Sequence, residues 1–325
     1  MRLHSIQSPC VHPRSDRSPG DLRDAYVSIA FDAMGCRFEM LINADRSGID
    51  RGSCRAVCEE MRSLVFDWHY RLSVFEPGSI VSRINRTPVG VGVVLDDEMF
   101  SLLALCDRLR IKTGGAFNIG AGTLMSAHGF RAQQIDRLEI DGLDLEHSFV
   151  LDDQQRTLTR YDERVSLDLG AIAKGFVLDL IREEILQDEI EDAFIHGGTS
   201  SILALGYDLE DQAWSVELGD GHRFGLSGMS MGISRAYGRM NESQEFGHIM
   251  DPRTTQPSVS GVVESVCVHR SAAFADALST ACTVSPELVD RVADTESSLF
   301  VLDSSNRVHH CDPLGVFSSF AKEVI

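Results

Sequence analysis

One stretch restricts the folds open to this chain more than any other. It reads Val165-Ser166-Leu167-Asp168-Leu169-Gly170-Ala171-Ile172-Ala173-Lys174-Gly175-Phe176-Val177-Leu178-Asp179. Val165, Leu167 and Leu169 alternate with Ser166 and Asp168, the period-two pattern of a short buried strand. Gly170 and Gly175 bracket four residues, so the following turn can bring backbone against a ligand with no Cβ in the way. Phe176, Val177, Leu180, Ile181 and Ile185 then fall at helical spacing, which places a helix directly after Gly175. A strand, a small-residue turn and a helix start leave free N–H groups pointing one way. That arrangement suits a phosphate, and many α/β proteins also use it with no ligand at all.

Composition narrows the partners. The 325 residues suffice for one large domain or two ordinary ones. Thirty Lys and Arg stand against 49 Asp and Glu, a formal net charge of −19. Such a surface argues against nucleic acid or an anionic membrane, though not against an anionic ligand held by amides and a metal ion. No apolar run reaches the roughly 18 residues needed to span a bilayer. The first 25 residues, with Pro9, Pro13, Pro19 and many charges, read as a disordered segment without the apolar core of a signal peptide. The eight cysteines are scattered, and only Cys54 and Cys58 lie close, without partners for a zinc site. Buried reduced thiols, and with them a cytoplasmic location, are expected.

Along the chain, residues 27–42 read as two strands around Met34-Gly35. Residues 51–72 and 96–112 are amphipathic helices, the second capped by Asp96 or Asp97. A glycine-dense loop covers 113–122, and strand segments are expected within 140–158. Two buried strands meet at Gly197-Gly198, and further strands are expected at 214–218, 226–234 and 262–268. Helices follow at 272–281 and 286–293, and a hairpin turns at Ser304-Ser305-Asn306. The mixture points to a single α/β or α+β unit over 26–325.

Two groups of residues carry possible chemistry. Asp276 and Thr280 are four apart on an expected helix and present a carboxylate and a hydroxyl on one face. These are hard donors of the kind Mg²⁺ or Ca²⁺ takes, although a carboxylate near a helix start also serves as a cap or dipole partner. His248, three residues before Asp251-Pro252, sits in a polar turn. It is placed either as a general base or as a solvated loop histidine.

Taken together the fragments carry more than they do singly. Met34-Gly35, Leu72-Ser73 with 79–85, Gly115-Ala116-Phe117, 167–175, Gly197-Gly198, His248-Ile249-Met250-Asp251-Pro252-Arg253-Thr254 and 275–280 occur in that order. This set resembles the ApbE family of FAD:protein FMN transferases over roughly residues 28–303. The resemblance implies an α+β fold, with mixed sheets and packed helices around an FAD cleft. It implies a reaction in which Mg²⁺ assists cleavage of the FAD pyrophosphate, FMN passes to a Thr or Ser hydroxyl of a target protein, and AMP is released. The carbonyl of Ala171 with Asp276 and Thr280 would hold the metal. Met34, Ala116, Phe117, Asn118, Lys174 and Ile249 would line the FAD site, with His248 as catalytic base.

The chain also departs from the family pattern. Asn118 replaces the usual Asp after Gly-Ala-Phe, and Thr255 replaces the Gly after Asp-Pro-Arg-Thr. Ile233-Ser234-Arg235 stands for Thr-Ser-Gly, which adds bulk and charge near the expected flavin or target-peptide region. Ile195-His196-Gly197-Gly198-Thr199 stands for Asn-x-Gly-Gly-Asp. These changes keep open an FAD pyrophosphatase, a non-catalytic FAD-binding protein, and a divergent enzyme acting on another nucleotide diphosphate.

Overall fold

The computed structural model of the protein describes residues 26–131, 140, 142–218, 223–240 and 247–317. The expected disordered segment 1–25 lies outside the described residues. The architecture is α+β, built on one eight-stranded sheet in which every neighbouring pair is antiparallel. Its spatial order is β1 (Tyr26–Ala33), β2 (Cys36–Asn43), β6 (Ala193–Gly197), β7 (Ser201–Leu205), β10 (Met229–Arg235), β13 (Val262–His269), β14 (Ser297–Asp303) and β15 (Val308–Cys311). Smaller sheets join β3 (Gly92–Val94), β5 (Thr157–Arg160) and β4 (Phe149–Asp152), β8 (Trp214–Glu217) with β9 (Arg223–Leu226), and β11 (Met250–Asp251) with β12 (Gln256–Pro257).

Strand alternation divides the core in two. Met231, Ile233, Val266 and Val268 face a cluster with Trp214, Phe224 and Phe317. Leu203, Leu205 and Cys267 face the helices. The helical layer comprises α1 (Arg51–Leu72), α2 (Ile80–Arg86), α3 (Asp97–Lys112), α4 (Gly122–Ala127), α5 (Ala173–Gln187) and α6 (Ala272–Val284). Asp50 caps α1 by accepting from Gly52 and Ser53 amides, and Asp96, not Asp97, caps α3 by accepting from the Met99 amide. Cys54, Val57, Met61, Val65, Trp68 and Leu72 form the buried stripe of α1, and Trp68 meets Phe176 of α5 edge-on at 4.9 Å. No helix among the described residues is long and apolar enough to cross a membrane. The described cysteines are all free thiols, five of them buried and Cys36 and Cys311 half-buried.

The opening stretch corrects the sequence reading in two places. Residues 165–169 form no strand; they contribute one parallel bridge, Ala121 to Ser166. Their neighbours are a loop and a side chain, so a ladder has nothing to extend along. Asn85 accepts from the Leu167 amide at 2.7 Å and donates to its carbonyl at 3.0 Å, and the Asp168 amide reaches Ile119. The helix also starts earlier, at Ala173, so Gly175 lies within its first turn. Among the described residues of 140–158 regular strand begins only at Phe149, and the helix expected at 286–293 is a 3-10 turn over Pro286–Leu288 followed by Val289–Val292.

Candidate functional site

Close approach of α6 to α5 and to β10 builds the first wall of the site. A Cβ on Gly175 would meet the Ala272 carbonyl oxygen at 2.2 Å, and one on Gly232 would meet Ala275 at 2.3 Å. Only hydrogen fits at either point. The start of α6 is fixed by Ser271, whose hydroxyl caps the Phe274 amide, and by Asp179 of α5. Asp179 accepts from the amides of Ala272 and Ala273 at 2.6 and 3.0 Å and from the Ser271 hydroxyl at 2.5 Å. A carboxylate of one helix thus caps another, and nothing near Asp179 in sequence signals it.

This packing buries Asp276 to 5% exposure. Its carboxylate accepts from the Gly175 amide and from the Ser201 hydroxyl, all at 2.8 Å. Burial pushes the Asp276 carboxyl up to about 6, against the opposing pull of Lys174, Ser201 and the Gly175 amide. Among the described residues it forms no ion pair within 4 Å.

The Gly175 amide explains a second feature. In a regular helix it would bond the carbonyl four residues back, that of Ala171. It turns to Asp276 instead, and the Ala171 carbonyl is left with its lone pairs available. Thr280 lies one turn beyond Asp276 and donates its hydroxyl to the Asp276 carbonyl at 3.0 Å, which also leaves its oxygen lone pairs to other partners. A carbonyl, a desolvated carboxylate and a hydroxyl make a hard-oxygen set suited to Mg²⁺.

Lys174, in the first turn of α5, acts electrostatically on both Asp276 and His248, so these three share one site. The Gly197-Gly198 turn and Cys36 close in beside it. A Cβ on Gly197 would lie 3.5 Å from the Lys174 stem, and one on Gly198 would lie 3.1 Å from Cys36. Burial lowers the His248 imidazole below its ordinary value, and the charges of Arg239 and Lys174 push the same way. It is therefore neutral at neutral pH, the state a general base requires. Its Nδ1 is buried without a hydrogen-bond partner among the described residues. Asp168 also acts on His248, and is itself paired with Arg131.

The second wall consists of turns. Asp251 ties back Arg253 through two guanidinium contacts at 2.9 and 2.8 Å, and the Arg253 stem packs on Gly115 of the 113–122 loop. Ala116 and Phe117 are core residues, 1% and 2% exposed, so they shape the 113–122 loop from beneath and present almost no surface of their own to a ligand. Ile249 is buried as well, and its carbonyl accepts from the Ser258 amide. Met34 adopts φ 50 in the β1–β2 turn, where a non-glycine residue is strained, and its amide donates to His69 Nδ1 at 2.7 Å.

Local contacts account for three departures from the family pattern. The Asn118 amide donates to the Leu145 carbonyl and accepts from Gly120, and an ionised Asp there could not make the first bond. Thr255 keeps the left-handed backbone, φ 60, that favours glycine at this point. Arg235 lies opposite Glu264 on the adjacent strand and is paired with it. By alternation its side chain shares the sheet face of Met231 and Ile233, whereas Ser234 turns towards α6. The expected added charge is thus neutralised, and it sits on the face away from Asp276. Sequence reasoning passed over Ser201, Ser234, Asn85 and Asp179. A serine at the head of the apolar run of β7, directly after Thr199-Ser200, was the available clue for Ser201.

Comparison with known proteins places this geometry. A model of the ApbE family matches residues 34–299. An FAD:protein FMN transferase of Haemophilus influenzae is 26% identical over 261 residues, covering 71% of this chain and 74% of that protein. One from Rhodobacter capsulatus is 27% identical over 277 residues; this chain spans only 52% of its length. The crystal structure of the ApbE protein of Thermotoga maritima superposes with a TM-score of 0.79 at 24% identity, covering 92% of this chain and all of that one.

Proposed function

The chain belongs to the ApbE family, and we propose that it is an Mg²⁺-dependent FAD:protein FMN transferase whose target presents a Thr or Ser hydroxyl. The observation that carries this reading is the diverted Gly175 amide. It steadies Asp276 and frees the Ala171 carbonyl in one contact, and Thr280 completes the donor set.

In the proposed reaction the acceptor oxygen forms a bond to the FMN phosphorus, and the bond from that phosphorus to the bridging oxygen breaks. AMP leaves with the bridging oxygen. His248, held neutral by its surroundings, accepts the proton of the attacking hydroxyl. Lys174 offers a positive charge to the pyrophosphate from the first turn of α5. Mg²⁺ held by Asp276, Thr280 and the Ala171 carbonyl would neutralise charge on the pyrophosphate oxygens. Met34, Ala116, Phe117, Asn118 and Ile249 complete the flavin side, the last four by shaping its loops from buried positions. The local accommodation of Asn118, Arg235 and Thr255 supports a working site over a binding-only relic.

The test is incubation of purified protein with FAD, Mg²⁺ and a Thr- or Ser-containing acceptor, with AMP and acceptor-bound flavin as readouts. Both products are expected, and chelation of the metal is expected to stop both. FAD binding without AMP release would sink the enzyme reading, and AMP with free FMN alone would identify a pyrophosphatase. Asp276→Ala is expected to abolish AMP release with the circular dichroism spectrum unchanged. Normal turnover in that variant would remove Asp276 from the metal site.

A further inference from the structure

Two strand serines hold the two side chains assigned to the metal. On the sheet face that meets α6, Ser201 of β7 stands opposite Gly232 of β10, and Ser234 follows two residues along the same face. At Gly232 the α6 backbone approaches the sheet too closely for a Cβ, so the serines flank that contact. Ser201 Oγ lies 2.8 Å from both Asp276 carboxylate oxygens. Ser234 Oγ lies 3.1 Å from Thr280 Oγ1 and 2.9 Å from Ser279 Oγ.

Counting hydrogens defines what Ser234 does. Thr280 and Ser279 both donate to the Asp276 carbonyl, at 3.0 and 2.9 Å. Their protons are committed there, so within this trio the Ser234 hydrogen is the one directed at the Thr280 and Ser279 oxygens. A Thr280 oxygen that donates to its own helix and accepts from the sheet has one lone pair left, in a fixed direction. Ser201 restrains the Asp276 carboxylate in the same way from the neighbouring strand.

Resting on the reading of Asp276 and Thr280 as metal ligands, we propose that Ser201 and Ser234 are positioning residues that orient these two oxygen donors for a divalent cation. The sheet, and not the helix alone, then sets the metal geometry. Ser265 provides a control on the same face. It is buried and bonds the Ser279 carbonyl and Thr283 Oγ1, at 2.6 Å for the latter, but touches neither proposed ligand.

The experiment titrates Mn²⁺ alone into metal-free protein, read by electron paramagnetic resonance, alongside metal-free thermal unfolding. Ser234→Ala and Ser201→Ala are each expected to weaken Mn²⁺ binding about tenfold, as loss of an outer hydrogen-bonding partner does at other metal sites. Ser234→Thr, which keeps the hydroxyl, is expected to restore it, and Ser265→Ala to leave it unchanged. Wild-type affinity in both serine-to-alanine variants, with binding lost in Asp276→Ala, would overturn the inference and leave the metal site standing. Equal weakening in Ser265→Ala would also overturn it, because general loosening of α6 would then explain the effect. Unchanged binding in Asp276→Ala would instead remove the metal site itself. Should Ser201→Ala fail to fold, the Ser234→Ala and Ser234→Thr pair decides alone.

Discussion

The wall made by α6 and the strands beneath it differs from the wall made by the 247–257 turn and the 113–122 loop in how each holds its polar groups. In the first, backbone meets backbone at Gly175 and Gly232, and Asp276 is fixed by one amide and one hydroxyl in a buried interface. In the second, side chains hold the loops, Asp251 by tying back Arg253 within its own turn and Asn118 by reaching across to Leu145. Two of the departures from the family pattern, Asn118 and Thr255, fall in that turn-built wall. Irregular backbone tolerates exchange because a new side chain can find a new partner. The helix–sheet wall has no room in which to do so.

After the loss of activity expected for Asp276→Ala, the largest effect probes the turn wall. His248→Gln is expected to lower turnover by about a hundredfold or more, the usual contribution of a positioned base. Mn²⁺ affinity, which we assign to the other wall, should stay at the wild-type value. If the affinity fell with turnover, the two walls would not be separable.

Next comes the acid–base behaviour of the helix wall. Asp276 is raised from an ordinary 3.8 to about 6, so the folded state holds its proton more tightly than the unfolded chain does. Its contribution to stability is full below about 4 and is lost as pH rises through about 6, a difference of about 3 kcal/mol. Metal-free protein should therefore lose stability across that window, Asp276→Asn should lose less, keeping only the part due to other raised carboxyls such as Asp179, and Mg²⁺ should restore the loss above it. Thermal unfolding of the two proteins across that pH range checks all three outcomes.

Gly232→Ala sharpens the packing half of the comparison. The added Cβ would press on the Ala275 carbonyl, and a cost of about 3 kcal/mol in urea unfolding is expected. A cost below about 1 kcal/mol would mean that α6 can shift, contrary to its tight seating. The smallest effect belongs to Thr255→Gly in the turn wall. It relieves a β-branched residue of left-handed backbone and is expected to raise stability by up to about 1 kcal/mol. A loss of stability would show that the Thr255 side chain contributes more than its backbone costs.

The legibility of the sequence followed the same division. Residues 51–72 announced a helix because apolar stripe and length agreed, and the structure has that helix. The strand pair around Met34-Gly35 was equally plain from turn chemistry. The 165–169 alternation misled because burial alone produces it, and here the pairing partner of Leu167 is the Asn85 side chain, 82 residues away. Asp276 and Thr280 could be singled out by their helical spacing. The reach of Ser201, Ser234 and Asp179 towards α6 is set by long-range register, which no local pattern encodes. Burial of Ala116 and Phe117 was likewise hidden, because a glycine-dense loop reads as exposed.

The diverted amide has a consequence for local motion. Helix ends ordinarily fray, and the first-turn amides of α5 would exchange with solvent independently of the rest of the fold. The Gly175 amide is held by a carboxylate on α6, and the α6 start is held in turn by Asp179 of α5. Unwinding the first turn of α5 therefore costs a bond to the body of α6, and unwinding the first turn of α6 costs its bonds to the body of α5. Each helix start is anchored in the interior of the other helix, so both are expected to exchange more slowly than free helix ends.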